Sequence, residues 1–178
     1  YARSGGEANA IAIRIARAAS GKDNVAICGY HGWHDWYLAA NLDSSSGLND
    51  HLLPGLDPNG VPKSLEGTVF PFHYNNFEEL EELVNTSDIG TIKMEVVRSE
   101  GPKNNYLQKV RDLATSKGII LIFDECTSGF RENFGGLHMK YKVYPDMAVF
   151  GKALGNGIPI SVILGNKDIM NVFEDIFF

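Results

Sequence analysis

The amino-acid sequence predicts an α/β fold, a mostly parallel central sheet with helices on both faces, and two observations carry that reading. Short runs rich in β-branched residues alternate with amphipathic helical runs, each pair bounded by Gly, Asn, Asp or Pro. The run Ile119-Ile120-Leu121-Ile122-Phe123 is apolar without interruption and follows a helical run, as expected of a central parallel strand covered on both faces. In chain order, Ser4 to Gly6 should form a loop opening a helix from Glu7 to Ala19, with Ala8, Ile11, Ile15 and Ala18 on one face. Val25 to Cys28 and Thr68 to Phe70 read as strands. A helix from Asn76 to Val84 has Asn76 as N-cap, Glu79 as its capping partner, and Phe77, Leu80, Leu83 and Val84 as its apolar set. Ile89 to Val97 is strand-like. Tyr106 to Lys117 repeats the helical spacing with Leu107, Val110, Leu113 and Ala114, and stops at Gly118, which is free to take positive φ. After the strand Ile119 to Phe123, Met147 to Phe150 and Ile160 to Leu164 supply two more strands. Leu42 to Pro62, rich in Ser, Asp, Asn, Gly and Pro, is expected to be a long loop over a site.

Composition bounds the function. The 178 residues carry a net charge of −6, with 44% hydrophobic and 21% charged residues, which suits a globular chain and excludes disorder, collagen and coiled coil. A chain of this length buries about two-thirds of the surface its unfolded form exposes, enough for one cored domain. The acidic balance and the lack of a Lys/Arg run argue against nucleic acid as a partner, because phosphate contacts dominate such binding. Cys28 and Cys126 stand far apart in no CxxC spacing, so neither a disulfide framework nor a metal site is expected, and a reducing, cytoplasmic setting fits. No apolar stretch approaches the roughly 20 residues that span a bilayer. The chain starts at Tyr1 and ends on Phe177-Phe178, which reads as a piece of something longer.

Ligands of open α/β sheets gather at strand carboxyl ends and helix N-termini, and three such junctions carry chemistry here. Ser4-Gly5-Gly6-Glu7-Ala8 opens a helix. Its glycines let an anion approach the backbone, and the free N–H groups and the helix dipole favour negative charge. A Ser-capped glycine turn with no ligand explains the same residues. Asp124-Glu125 follows the buried strand directly, and acids there are costly unless they meet a cation, a metal or a protonated ring nitrogen. A nucleotide hydrolase would need a GxxxxGK[ST] loop and a dehydrogenase a GxGxxG after a strand, and the sequence has neither. A solvated acidic turn is the plain alternative. The third junction is Gly151-Lys152 in GKALGNGIP, where small residues leave room around an amine whose partial desolvation would suit Schiff-base chemistry. A surface lysine in a glycine-rich loop is the plain reading of that one.

In order and character these junctions, with Tyr30-His31-Gly32, resemble class III pyridoxal-phosphate-dependent aminotransferases. The matching runs are SGGEA (Ser4 to Ala8), GYHGWHD (Gly29 to Asp35), MEVVRSEGP (Met94 to Pro102), DECTSGFR (Asp124 to Arg131) and GKALGNGIP (Gly151 to Pro159). The GFR ending and the GYHGWHD run lean towards the glutamate-1-semialdehyde aminomutase branch and related sugar-amine-forming enzymes. The resemblance implies the large domain of a type I pyridoxal-phosphate transferase over residues 1–178, with pyridoxal 5'-phosphate as cofactor. It makes Lys152 the Schiff-base and proton-shuttling lysine and Asp124 the partner of the protonated pyridine nitrogen. Tyr30 would stack on one ring face and Cys126 would stand where the family has a small apolar residue against the other. Gly5 and Gly6 would be phosphate-loop donors, Gly6 replacing the more usual Thr or Ser. His31, His34, Trp33 and Trp36 are read mainly as packing. Glu95, Glu125, Phe130 and Arg131 receive no role from the residues alone. Family members are more than twice this long, and their N-terminal segment and C-terminal small domain have no counterpart here. A small-molecule amino donor or acceptor and a full-length homodimer are the expected partners, with no membrane. A non-catalytic module on the same sheet is the alternative.

Overall fold

Ser4 caps the first helix, its Oγ accepting the Glu7 N–H at 3.2 Å. In the computed structural model, which describes residues 1–43, 47–50 and 56–176, this helix, α1, runs Gly5–Ser20 and closes on Gly21 at φ 66°. It therefore starts two residues before the expected Glu7, with both glycines inside its first turn. Its buried face also differs from the expected stripe: Ala8 and Ile15 are buried, but Ile11 is only half-buried and Ala18 is exposed. Asn9, Ala12, Ile13 and Ala16 complete the face instead. The small side chains of Ala8, Ala12 and Ala16, spaced by one turn, let the helix lie close against the sheet.

The remaining elements follow as β1 (Asn24–Cys28), α2 (Asp35–Leu38), β2 (Val69–Pro71), α3 (Phe77–Thr86), β3 (Ile89–Glu95), α4 (Tyr106–Lys117), β4 (Ile120–Asp124), α5 (His138–Tyr141), β5 (Met147–Phe150), β6 (Val162–Gly165) and α6 (Lys167–Met170). The sheet order is β2-β1-β3-β4-β5-β6. Strands β1 to β5 are parallel and β6 pairs antiparallel with β5. Helices cover both faces, as the alternation along each strand shows. Val25, Ile27, Ile120 and Ile122 pack in one cluster with α1. Ala26, Cys28, Leu121 and Phe123 pack in the other with Leu80 and Val84 of α3 and Leu107 and Val110 of α4. The chain order reverses at β1, which has β2 on one side and β3 on the other, so a crevice opens beyond the carboxyl ends of β1 and β3.

Two further local expectations change. Asn76 caps α3 by accepting the Glu79 N–H at 3.3 Å, but Glu79 does not return the bond; its carboxylate takes the N–H of His73 at 2.8 Å and the His73 ring at 3.0 Å. The last strand starts at Val162 rather than Ile160, because Ser161 is drawn into a bridge with Ala2. In the expected loop Leu42 to Pro62, residues 44–46 and 51–55 lie outside the described residues. The described parts are gathered by Asn41, whose Oδ1 accepts the Leu48 N–H at 2.6 Å and whose Nδ2 donates to the Leu56 carbonyl at 2.5 Å.

Candidate active site

Four chain segments meet at the carboxyl edge of the sheet: the first turn of α1, the turn after β1, the turn after β4 and the turn after β5. They enclose a cavity of about 210 Å³ lined by Ser4, Gly5, Gly6, Asn9, Tyr30, Gly32, Trp33, Asp124, Cys126, Thr127 and Lys152. The six residues singled out from the sequence, Gly5, Gly6, Tyr30, Asp124, Cys126 and Lys152, thus share one cavity. No described residue of Leu42 to Pro62 lines it. A larger cavity, about 590 Å³, lies elsewhere, between β5, β6 and the Phe130 segment, and its walls are mainly apolar.

The cavity floor is Asp124, buried at the end of β4. Its Oδ2 accepts from Asn9 Nδ2 and His31 Nδ1, each at 2.8 Å, and its Oδ1 accepts the Cys126 N–H at 3.0 Å. Burial pushes this carboxyl up, yet the Lys93 ammonium, the His31 bond and the Cys126 N–H together hold it well below the usual carboxylate range. His31 is fully buried, and burial pushes its imidazolium form down more than the Asp124 bond raises it, so the ring is neutral. Asp124 can only accept, so His31 carries its proton on Nδ1. Neutral burial has a pH consequence. The unfolded chain takes up a proton on His31 near pH 6.5 while the folded chain does not, so stability present above that pH is lost as pH falls below it, by about 1.4 kcal/mol per unit. Urea midpoints between pH 7.5 and 5.5 should show this slope, and His31→Gln should remove that share of it.

The wall beside α1 is shaped by glycine. A Cβ on Gly5 would come within 3.1 Å of Cys126 Sγ, and one on Gly6 within 3.2 Å of the His34 ring. First-turn N–H groups have no partner inside their own helix. Ser4 takes those of Glu7 and Ala8, which leaves those of Gly5 and Gly6 at the cavity. Gly32 faces them at φ 105°, and a Cβ there would sit 2.9 Å from Gly6 Cα. Gly32→Ala should therefore part the two walls and cost about 1–3 kcal/mol, read as a lower urea midpoint.

Tyr30 is half-buried, edge-on to Tyr37 at 6.0 Å, and its N–H donates to Glu95 Oε2 at 3.4 Å. Glu95 Oε2 also accepts from Arg98 Nη1 at 2.7 Å. Of the aromatic cluster, His31 and Trp36 are packing, as expected, although His31 is also a polar partner of Asp124. Trp33 is the exception, 69% exposed at the cavity mouth and stacked on His34 at 4.7 Å.

Lys152 differs from expectation in one respect. Its side chain is exposed rather than partly desolvated, because the short turn Lys152–Leu154 lifts it to the cavity rim between small neighbours. It is held there at φ 44°, a left-handed backbone unusual for lysine, and its Nζ donates to Thr127 Oγ1 at 2.6 Å. Glu125, which had no role from sequence, is wholly buried and ties the following segment together. Its Oε1 accepts the backbone N–H and the ring Nδ1 of His138, both at 2.8 Å, and its Oε2 accepts the Ser128 hydroxyl. Glu125→Ala should strand these donors and cost about 1–3 kcal/mol of stability in urea unfolding. Phe130 packs on Phe150 at 5.6 Å and lines the larger apolar cavity, so it serves the fold, and Arg131 is exposed.

Asn9, Thr127 and Lys93 were not foreseen from the sequence. A signal for two of them was present: Asn9 interrupts an alanine-rich helix face and Lys93 interrupts an apolar strand. Nothing local marks Thr127.

A sheet that gathers a helix N-terminus, a buried carboxylate and a lysine at one carboxyl edge has the architecture of the type I fold of pyridoxal-phosphate-dependent enzymes, and comparison with solved structures agrees. A structure described as a transaminase with PLP bound superposes with a TM-score of 0.79 at 27% identity, over 97% of this chain and 41% of that one. The family model for class-III aminotransferases matches residues 1–175, and the chain belongs to that family. Among its relatives, a 3-aminobutyryl-CoA aminotransferase of Cloacimonas acidaminovorans is 36% identical over 97% of this chain, and a glutamate-1-semialdehyde 2,1-aminomutase of Sulfolobus acidocaldarius is 34% identical over 97%. The chain spans 40% and 41% of those two proteins. Among the described residues no helix is long and apolar enough to cross a membrane.

Proposed function

We propose that this chain is the cofactor-binding part of an enzyme that moves amino groups with pyridoxal 5'-phosphate, as a transaminase or an aminomutase. The observation that carries the reading is the single cavity holding Lys152, Asp124, Tyr30, Cys126 and the Gly5-Gly6 turn. The residues suit the cofactor: first-turn N–H groups for a phosphate, a buried carboxylate that remains an anion for a ring nitrogen, and two glycines that leave the α1 backbone bare at the cavity wall. When bound, pyridoxal phosphate supplies a carbonyl that condenses with amines and a ring that accepts electrons. Gly5 and Gly6 would hold its phosphate. Asp124 would keep a proton on the ring nitrogen, with Asn9 and His31 fixing the carboxylate in place. Tyr30 and Cys126 would bound the two ring faces. Lys152 Nζ would hold the cofactor carbon covalently and then carry a proton to and from the substrate carbon, with Thr127 setting its resting position.

Trp33 at the cavity mouth, with His34 stacked behind it, favours a small amino-aldehyde, amino acid or amino sugar, which an aromatic, polar rim can stack on and hydrogen-bond. The whole enzyme is proposed to act as a homodimer in the cytoplasm, a setting that suits two free, buried cysteines.

The test is to add pyridoxal phosphate to the purified chain, reduce with borohydride and map the modified lysines by mass spectrometry. Modification at Lys152 alone is expected. Labelling scattered over surface lysines would overturn the reading for this chain and favour a non-catalytic module.

A further inference from the structure

Strand β3 lies between β1 and β4 and carries one residue out of character. Lys93 pairs in register with Ile27 on one side and Ile122 on the other, is fully buried, and its Nζ makes no hydrogen bond. Alternation along the strand puts Thr91, Lys93 and Glu95 on one face, the face of Ile122 and Asp124, and α1 covers it. Glu95 is paired directly opposite Asp124, so Lys93 stands one step deeper in the sheet beneath that carboxylate. Asn9 Oδ1, Thr91 Oγ1 and His31 Nε2 are also buried without a partner. An apolar side chain would fill the Lys93 position without the desolvation cost of an amine, so the charge needs a reason of its own.

Asp124 supplies that reason. The titratable groups that act on Lys93 are Asp124 at the end of β4, Cys126 in the turn beyond it, Glu95 from β3 and His31 from the turn after β1. Glu95 already has a cation, Arg98, at 2.7 Å. The three donors on Asp124, the Asn9 amide, the His31 ring and the Cys126 N–H, are all neutral. Lys93 is the one lysine or arginine among the described residues that is buried outright.

We propose that Lys93 is the buried counter-charge of Asp124, a positioning residue that holds this carboxylate ionised from beneath so that it meets the cofactor's ring nitrogen as an anion. The pairing belongs to the chain itself, and its use toward the cofactor rests on the function proposed above. The electrostatics run the same way. Burial pushes the Lys93 ammonium down and Asp124 is the strongest pull back up, while Lys93 is foremost among the groups that hold Asp124 low against its own burial.

The experiment uses the cofactor-free chain, with carbon-13 NMR following the Asp124 carboxyl as pH is lowered. In the native protein the carboxyl should stay ionised to the acid limit of the folded state, and in Lys93→Met its midpoint should rise by about 1–3 pH units. A purely space-filling role for Lys93 would leave that titration where it was, and an unmoved midpoint overturns the proposal. Methionine matches lysine in length and suits an apolar slot. Should the variant not fold, the reciprocal measurement decides. The carbon-13 signal of Lys93 Cε should titrate lower in Asp124→Asn, and an unmoved signal overturns the pairing. Borohydride labelling of the same native sample separates the two readings. A shifted titration without modification of Lys152 upholds the counter-charge and overturns the cofactor reading, whereas modification of Lys152 with an unmoved titration does the reverse.

Discussion

Lys152→Ala should abolish the borohydride-trapped adduct of pyridoxal phosphate while leaving the fold intact. The side chain is exposed, and its only described bond is the one Nζ donates to Thr127, also exposed, so the substitution should change the urea midpoint by no more than about 0.5 kcal/mol. The backbone strain at φ 44° is common to lysine and alanine and does not enter the comparison. The chemistry, by contrast, has no substitute. No other lysine lines the cavity, so neither covalent capture nor proton transfer can pass to a neighbour. In the complete enzyme, turnover should fall by at least about 10²–10⁴-fold, the contribution of a positioned proton-transfer group alone. Mass spectrometry of the reduced adduct and a single-turnover assay check the two halves separately. An adduct of undiminished yield in the variant would show that the capturing amine lies elsewhere.

Asp124→Asn should act on both fold and chemistry, and the two effects can be read apart. Three donors converge on the carboxylate, so an amide must turn its NH₂ towards either the Cys126 N–H or the pair from Asn9 and His31. The first orientation strands a buried backbone donor. The second can be met by rotating the Asn9 amide, at the expense of the bond its Nδ2 gives to the His31 carbonyl at 3.3 Å, and by moving the His31 proton to Nε2, where it has no acceptor. The loss of stability should therefore stay within about 1–3 kcal/mol. No such rearrangement restores the charge. Without an anion at this place a protonated ring nitrogen is unsupported, and turnover in the complete enzyme should fall by about 100-fold or more, as when one preorganised electrostatic contact is removed. Lys152 should still be labelled, because its cavity and its amine are unchanged. Wild-type turnover in Asp124→Asn would contradict the role given to this carboxylate.

How much of this was legible in the sequence follows from the range of the forces involved. Periodicity and capping are local, so the long helices, the strands and the stop at Gly118 can be read from a few neighbouring residues, and the apolar run at Ile119 to Phe123 announces a strand buried on both faces. Strand-end chemistry is also local, which is why Lys152, Asp124, Gly5 and Gly6 could be named as candidates before their cavity was seen, whereas Tyr30 and Cys126 were named only through the resemblance to the family. The choice of face on α1 was not local. Which side of that helix is buried depends on the sheet it lies against, and close packing by Ala8, Ala12 and Ala16 turned Asn9 inward and Ala18 outward. Contacts between distant segments were beyond sequence reasoning altogether. Asn9 lies 115 residues from Asp124, and His31 lies 93 from it, yet both sit at 2.8 Å from one oxygen. Thr127 reaches Lys152 only because the turns after β4 and β5 lie side by side, the two strands being paired. Sequence alone thus determined the three long helices, the strands and the residue types at their ends, but not the short helices α2, α5 and α6. The tertiary structure decided which of them share a cavity, which lysine stays exposed and which is buried, and what charge a carboxylate can keep, since burial and the field of remote groups exist only once the chain has closed on itself.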